Sequence, residues 1–249
     1  MIEIRGLSKR LGGKQVLEGL DLDVRKGETL VVLGPSGTGK SVLLKHIIGL
    51  MKPDAGSIRI DGEEIAGRGE KELNQVRRRF GMLFQGAALF DSLTVGENVA
   101  LAMFEHARDM DPDQVAQRVS ERLEWVGLKG AEALKPASLS GGMRKRVGLA
   151  RALAMDPEYV LYDEPTTGLD PIMADVINGL IRDLQKQLQV TSVVVTHDIR
   201  SAYTVADRIV LLYRGRLVYD GTVEETRRTD DAMMRQFIEG SSRGPIQPV

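Results

Sequence analysis

The chain of 249 residues has no cysteine, no apolar run long enough to span a bilayer, and no excess of one charge sign. The missing cysteine excludes disulfides, thiolate metal sites and a cysteine nucleophile, and it fits a reducing compartment. A membrane span needs about 20 consecutive apolar residues, so we expect any membrane contact to go through a partner or a surface. With 34 basic and 35 acidic residues and an apolar fraction of 42%, the chain has the composition of neither a disordered segment nor a globally basic nucleic-acid binder. We therefore expect no nucleic-acid partner.

Short apolar runs alternate with helix-like segments along the chain. Such runs are typical of buried strands in a parallel sheet that is covered on both faces, and they span 29–34, 159–164, 192–198 and 208–213. Strands that alternate with helices predict an α/β fold with a mainly parallel sheet. Between residues 86 and 157 a 3.6-residue periodicity replaces the strand pattern, which predicts an inserted helical subdomain.

A glycine-rich loop, "GPSGTGKS" (34–41), follows the first of these runs and precedes an apolar-patterned segment. Its glycines let successive backbone N–H groups turn inward around phosphate oxygens, and the following helix adds the positive end of its dipole. Lys40 is predicted to reach the β- and γ-phosphates, and the Ser41 hydroxyl is predicted to bind Mg²⁺. The alternative is a chance glycine-rich turn, which the correct order of strand, loop and helix disfavours.

Polar residues close three of the predicted strands. Asp163 and Glu164 provide one carboxylate for the water shell of Mg²⁺ and one to accept a proton from an attacking water; helix capping is the alternative role for this pair. Gln85 closes the strand "FGMLFQ" and is placed to touch Mg²⁺ or the attacking water. His197 is expected at the carboxyl edge of the sheet, where ligands of open α/β folds bind, although a structural hydrogen bond is the alternative.

A second glycine pair, in "SLSGGMRKR" (138–146), opens another helix-like segment. The helix is predicted to be amphipathic, with Arg144, Gly148 and Arg151 on its polar face. Its first N–H groups and the Ser140 hydroxyl predict a second anion site. An ordinary serine-capped helix is the alternative.

Taken in order, six motifs resemble those of the nucleotide-binding subunits of ATP-binding cassette (ABC) transporters: the phosphate loop, Gln85, "LSGGM", "YVLYDE", "TGLD" and His197. The resemblance covers nearly the whole chain and implies ATP and Mg²⁺ as cofactors. It implies an α/β P-loop NTPase (RecA-like) core with a mainly parallel sheet, an antiparallel β subdomain and the inserted α-helical subdomain. The implied organisation is one ABC ATPase domain over 1–239, with core 1–85 and 158–239, helical subdomain about 86–157, and an extended tail at 240–249.

The same resemblance implies that two copies pack head to tail, so that the phosphate loop of one and the signature loop of the other enclose one ATP. It gives Glu164 the role of general base and places Asp170 in the loop that communicates across the dimer interface. The full implied sets are, for catalysis, Glu164, His197 and Gln85; for ATP in the phosphate loop, Gly34, Pro35, Ser36, Gly37, Thr38, Gly39, Lys40, Ser41 and Val42; for ATP from the signature loop, Ser140, Gly141, Gly142 and Met143; and for Mg²⁺, Ser41, Gln85 and Asp163.

Two positions depart from the family pattern. Leu11 stands where the family commonly has an aromatic residue that stacks on adenine, so an apolar contact with ATP replaces the expected stacking. Met143 stands where the signature usually has glutamine, which removes a polar contact and leaves the donors of Ser140 to Gly142.

Three segments resemble the ATPases of Mla-type phospholipid transporters, which work with MCE-domain proteins: 82–101, the signature segment, and "MRQFIEGSSRGPIQPV" (234–249). The resemblance implies an ATPase that powers phospholipid transport between membranes, peripheral on the cytoplasmic face of the inner (plasma) membrane. A membrane permease is expected to bind beside Gln85, and an MCE-domain protein and a small regulatory subunit are further expected partners. The alternatives are the ATPase of an importer for a polar solute such as an amino acid, and a cytosolic ABC-type switch without a permease.

Overall fold

The computed structural model describes residues 1–107 and 109–247. The strands are β1 (Ile2–Leu11), β2 (Lys14–Val24), β3 (Thr29–Leu33), β4 (Ala55–Ile60), β5 (Glu63–Glu64), β6 (Phe80–Leu83), β7 (Tyr159–Asp163), β8 (Thr191–Thr196), β9 (Arg208–Tyr213) and β10 (Arg216–Thr222). The α-helices are α1 (Lys40–Ile47), α2 (Glu70–Arg77), α3 (Val95–His106), α4 (Pro112–Trp125), α5 (Gly141–Ala152), α6 (Pro171–Leu188), α7 (Ile199–Val205), α8 (Val223–Arg228) and α9 (Ala232–Glu239).

One compact unit comprises Met1–Leu73 and the chain from Thr191 onward. It holds an antiparallel sheet of order β2-β1-β4-β5 and a second group of strands in the order β10-β9-β3-β8. In that group β3 is parallel to both β8 and β9, while β10 is antiparallel to β9. Every residue of β3 and β8 is buried, as the continuous apolar runs predict for parallel strands covered on both faces.

The second compact unit is Asn74–Val190. Its strands β6 and β7 are parallel, and α5 packs against β6 and against α3, α4 and α6. Polar side chains cap the N-termini of four helices in this unit. Thr94 and Asp111 form capping boxes at α3 and α4, and Ser140 and Asp170 cap α5 and α6. The predicted α/β fold with mainly parallel strands and an antiparallel β sheet is confirmed.

The exact domain organisation expected from the sequence, with one domain over 1–239 and a helical subdomain over about 86–157, stays a prediction. Among the described residues of the tail, none after Gly240 lies in a helix or strand. The Gln236 side-chain amide accepts from the Ile246 N–H at 2.6 Å and donates to the Ile246 carbonyl at 2.9 Å, so this part of the tail lies against α9. Pro248 and Val249 lie outside the described residues. Over the ranges 1–107 and 109–247, the helices are too short or too polar to cross a membrane.

Candidate functional site

The phosphate loop, residues 34–41, connects β3 to α1. Gly37 and Gly39 have φ angles of 78° and 103°, a region that side-chain-bearing residues rarely adopt. A Cβ on Gly39 would also lie 3.0 Å from the Val16 carbonyl oxygen. Helix α1 begins directly after Gly39, and no side chain among the described residues caps it. The loop therefore presents backbone N–H groups of a helix N-terminus in the form that binds phosphate.

Lys40 closes this loop. Its side chain is buried, and Nζ donates to the carbonyl oxygens of Gly34 at 2.8 Å and Pro35 at 3.1 Å. The Thr38 hydroxyl donates to the same Pro35 carbonyl at 2.9 Å. An ammonium held over a ring of glycine backbone fits the charge of a nucleotide polyphosphate, because charge-assisted hydrogen bonds to phosphate are strong.

Oxygen donors suited to Mg²⁺ are present at the predicted positions. Ser41 is half-buried in the first turn of α1, and Asp163 is the last residue of β7 and buried. Hydroxyl and carboxylate oxygens are hard donors, which Mg²⁺ prefers over nitrogen and sulfur. The chemistry of these residues therefore fits the metal that the family pattern implies.

The acidic residue after β7 is held in an unusual backbone conformation. Glu164 is 8% exposed and has a φ of 49°, which is uncommon for a residue other than glycine. The Thr167 hydroxyl donates to Glu164 Oε2 at 3.0 Å and orients the carboxylate. Residues held in sparsely populated backbone regions cluster at functional sites. This geometry is that of a fixed carboxylate rather than a mobile surface charge.

The signature loop starts α5. Ser140 and Gly141 are exposed, and Ser140 Oγ accepts from the Met143 N–H at 3.2 Å. Gly142 is buried, and a Cβ there would collide with Met173 on α6. The capped-helix alternative for Ser140 is therefore present, and Ser140 and Gly141 lie at the surface of the chain.

Helix α5 is not amphipathic in the predicted way. Gly148 is buried, because a Cβ there would lie 2.7 Å from Leu83 Cδ1 and 3.1 Å from Ala87 Cβ. Arg151 donates to the carbonyl oxygens of Ala87 at 2.6 Å and Ala88 at 2.7 Å. Gly148 and Arg151 thus pack against the segment that follows Gln85, whereas Arg144 is exposed as predicted and donates to the Leu139 carbonyl oxygen at 3.0 Å.

Lys145, also on α5, was not predicted from the sequence as a residue near the site. It is 5% exposed, and its Nζ donates to the carbonyl oxygens of Glu164 at 3.0 Å and of Gln85. Burial lowers the pKa of this ammonium, while the charges of Asp163 and Glu164 act in the opposite direction. A lysine in a run of basic residues predicts a solvated side chain. The nearby Gly148, which marks close backbone approach, was the available signal that this helix face is buried.

Gln85 follows β6 and has an exposed side chain. The next segment turns sharply, since Ala87 and Ala88 have φ angles of 62° and 47°. A cavity of about 300 Å³ lies in this unit between β6, α3 and α5, with lining residues that include Phe80, Phe84, Leu101 and Met155. Phe84 and Phe90 are 38% and 52% exposed, so apolar side chains border the segment.

Strand register brings predicted residues together within each unit. Leu33 pairs with Thr196 across parallel β3 and β8, so the phosphate loop and the exposed His197 leave the strands at the same edge. Leu83 pairs with Tyr162 across β6 and β7, so Gln85 and the Asp163–Glu164 pair share an edge in the same way. Carboxyl edges of parallel strands are where ligands of α/β folds bind.

Three further predicted site residues belong to β1, α1 and the start of α6. Leu11, at the end of β1, is 38% exposed and offers an apolar surface. Asp170 Oδ1 accepts from the N–H groups of Ile172 and Met173, both at 3.0 Å, and so caps α6. Val42 is in the first turn of α1, and its carbonyl oxygen lies 2.8 Å from His46 Nδ1.

Parallel strands, a glycine loop closed by a buried lysine and a carboxylate pair at a strand end define a P-loop nucleotide-binding protein. Residues 17–167 match the ABC transporter family. The chain belongs to that family: it is an ATP-binding ABC ATPase, as its six motifs predict.

Individual relatives cover almost the whole chain. The "Probable ribonucleotide transport ATP-binding protein mkl" of Mycobacterium leprae is 45% identical over 98% of this chain and 70% of its own length. The "Intermembrane phospholipid transport system ATP-binding protein MlaF" of Haemophilus influenzae is 41% identical over 99% of this chain and 93% of its own. Among solved structures, the dimeric post-hydrolysis state of the ATP-binding cassette MJ0796, bound to ADP and Pi, is similar with a TM-score of 0.83, at 34% identity over 90% of this chain and 99% of that one.

Proposed function

We propose that the protein is the ATP-hydrolysing subunit of a transporter that moves phospholipid between membranes. The observation that carries this proposal is the likeness to a relative named for intermembrane phospholipid transport, which this chain matches over 93% of that relative's length. The relative named for probable ribonucleotide transport is 45% identical but extends further, since 70% of it is covered. Ribonucleotide transport is therefore the second candidate.

Within this proposal, Lys40 and the loop N–H groups bind the β- and γ-phosphates of ATP, and Leu11 gives an apolar contact. Glu164 accepts the proton of the attacking water. The hydrogen bond from Thr167, which orients the carboxylate, supports this role. His197 and Gln85 complete the catalytic set. Ser41, Asp163 and Gln85 would hold Mg²⁺, which would supply positive charge near the phosphate oxygens.

The signature loop acts on the ATP of a second copy. We place Ser140, Gly141, Gly142 and Met143 in contact with that nucleotide and Asp170 in the communicating loop. Support comes from Ser140 and Gly141, which are exposed at the surface, and from the dimeric state named for a related cassette. ATP then drives closure because it binds the closed dimer more tightly than the open one.

A membrane permease is the proposed partner of the segment around Gln85, which spans residues 84–90. The exposed Phe84 and Phe90 and the neighbouring cavity of about 300 Å³ offer an apolar seat for a helix from that subunit. The protein then lies peripherally on the cytoplasmic face of the inner membrane. An MCE-domain protein and a small regulatory subunit are further proposed components of the assembly.

The test uses tagged Glu164→Gln protein, which is expected to bind ATP without hydrolysing it. It is captured from detergent-solubilised membranes in the presence of ATP, and co-purified proteins and lipids are identified by mass spectrometry. A permease with an MCE-domain protein and phospholipid supports the proposal. A nucleotide or amino acid permease overturns the lipid assignment, and recovery of no membrane protein overturns the permease.

The matched control is Lys40→Ala in the same background, captured in the same way. Because this variant is expected to lose ATP, it separates partners of the ATP-bound dimer from proteins that adhere to the tag.

A further inference from the structure

Lys145 joins two pieces of main chain that carry proposed catalytic side chains. Its ammonium donates to the carbonyl oxygen of Gln85 and, at 3.0 Å, to that of Glu164. Both acceptors and the lysine belong to the unit Asn74–Val190. Lys145 is not among the residues assigned to ATP or Mg²⁺. Its side chain is 5% exposed and therefore has little surface with which to contact a ligand.

Holding a lysine there is costly. A buried ammonium loses its hydration, and that loss must be offset by hydrogen bonds to fixed acceptors and by nearby negative charge. Here the acceptors are main-chain carbonyls at the ends of two different strands, β6 and β7. One of them belongs to Glu164, whose φ of 49° is itself unfavourable for a residue with a side chain. The contact therefore fixes backbone positions that the strands alone leave to the following loops.

Helix α5 fastens the Gln85 segment at a second point. Arg151 donates to the carbonyls of Ala87 and Ala88, and Gly148 allows the close approach of Ala87. The helix that starts at the signature loop thus holds the segment after β6 along its length. Of these three residues of α5, Lys145 is the one that also donates a hydrogen bond to Glu164 in the described part of the chain.

We infer that Lys145 is a positioning residue for ATP hydrolysis: it fixes the backbone of Gln85 relative to that of Glu164, and both relative to the helix of the signature loop. It acts through those residues and does not touch the nucleotide. The inference rests on the proposed roles of Glu164 and Gln85. Loss of the ammonium should then impair the chemical step and leave ATP binding intact.

The expected effect is a fall in kcat of about ten- to hundredfold, since a misplacement near 1 Å costs about that much. The KM for ATP should stay within about twofold, because the phosphate loop is unchanged. A purely structural role predicts a different result, in which the melting temperature falls and the remaining folded protein keeps its kcat.

The first variant is Lys145→Met, which keeps an unbranched side chain and removes the charge and the donor. Its ATPase kinetics and thermal unfolding are measured beside those of Lys129→Met, the same change at an exposed lysine that pairs with Glu124. A lower kcat with unchanged KM in Lys145→Met alone supports the inference. Wild-type kcat in Lys145→Met overturns it.

The second variant uses the absence of native cysteine. The Lys145→Cys variant carries a single thiol. The thiol is alkylated in denaturant, and the protein is then refolded. Alkylation with 2-bromoethylamine rebuilds a lysine-like ammonium, and alkylation with 1-bromopropane gives a neutral side chain of the same length. Recovery of kcat with the first reagent and not with the second supports the inference; equal activity of the two products overturns it.

Glu164→Gln is assayed in parallel to keep the two hypotheses apart. If Glu164→Gln is inactive and Lys145→Met is fully active, the proposed function stands and the role of Lys145 fails. If Glu164→Gln retains normal turnover, the assigned base is wrong and the inference fails with it.

Discussion

The phosphate loop and the signature loop use glycine for different physical reasons. In the phosphate loop, Gly37 and Gly39 adopt positive φ angles, and α1 starts at Gly39 without a side-chain cap. In the signature loop, Gly141 and Gly142 have ordinary helical backbones, Ser140 caps α5, and Gly142 makes room for Met173. Glycine supplies backbone conformation in the phosphate loop, with space as well at Gly39, whereas in the signature loop Gly142 supplies space alone.

The two loops also differ in where their lysine goes. Lys40 turns back over its own loop and is the first residue of α1. Lys145 lies beyond the first turn of α5 and points to carbonyls of other segments. The first arrangement concentrates positive charge at a phosphate site, whereas the second leaves the signature loop with uncharged donors. This difference fits the proposal that the phosphate loop binds a nucleotide by itself and that the signature loop adds contacts to a nucleotide bound by a second copy.

Among the substitutions that compare the two loops, Lys40→Ala should have the largest effect, which is a loss of ATP affinity. Removing the ammonium takes charge-assisted hydrogen bonds from the phosphates, and we expect the ATP affinity of the isolated chain to fall about a hundredfold. Isothermal titration with ATP measures it. Lys45→Ala, at an exposed position of the same helix, is the control and should bind like the wild type. Equal affinities for the two variants would remove Lys40 from the phosphate site.

Ser140→Ala should separate the loops by function. ATP affinity of the monomer is expected to stay unchanged, while ATP-driven dimerisation in a Glu164→Gln background weakens about tenfold, because a hydroxyl donor is lost and the α5 cap costs about 1 kcal/mol. Sedimentation with and without ATP gives both states. Ser138→Ala, whose hydroxyl bonds to the Lys135 carbonyl, is the matched control. Dimerisation equal to that of the control would contradict the assigned role.

Alanine substitutions at Gly39 and Gly141 test whether the two loops differ in their need for a positive φ angle. Gly39→Ala is expected to lower stability by about 1–3 kcal/mol, because φ is 103° and Val16 is close. Gly141→Ala should leave stability unchanged or raise it by up to about 1 kcal/mol, since its backbone is helical and a Cβ would find Leu169 at 3.5 Å. Thermal unfolding compares the two. A similar loss in both variants would mean that the loops do not differ in this way.

We expect the smallest effect from His46, a buried titratable group on α1 that, unlike Lys40, has no proposed role in binding ATP. Burial lowers the pKa of His46 below its ordinary value of 6.5, and Lys9 acts in the same direction, against the Val42 and Lys52 carbonyls and Asp54. Below that ordinary value the unfolded chain gains a proton that the folded chain resists. Stability from neutral His46 is thus present above the unfolded pKa and is lost as the pH falls through the folded one.

The melting temperature should therefore drop less between pH about 7.5 and about 5.5 in His46→Gln than in the wild type. His106→Gln, at an exposed position, is the control and should follow the wild type. An identical drop in all three proteins would show that His46 does not contribute to the acid sensitivity.

Much of the fold follows from residue patterns. The run 29–33 is apolar throughout because both faces of β3 are covered, and the 208–213 run matches β9. The phosphate loop was predictable because its glycines, lysine and serine have fixed spacing. By contrast, Gly148 and Arg151 were predicted on a polar face together with Arg144, and Lys145 was not singled out. Periodicity within one helix does not reveal that Ala87 and Ala88 of another segment pack against it. Thr167 was equally invisible, because its contact depends on the φ of Glu164.

Ala87 and Ala88 store conformational free energy. Each adopts a left-handed φ that costs an L-residue about 1–2 kcal/mol, and the two hydrogen bonds from Arg151 offset that cost. If those bonds break, return of the two residues to ordinary backbone angles is spontaneous. Movement of this segment away from α5 therefore costs less free energy than the loss of the two hydrogen bonds alone, because the backbone of Ala87 and Ala88 relaxes as they break.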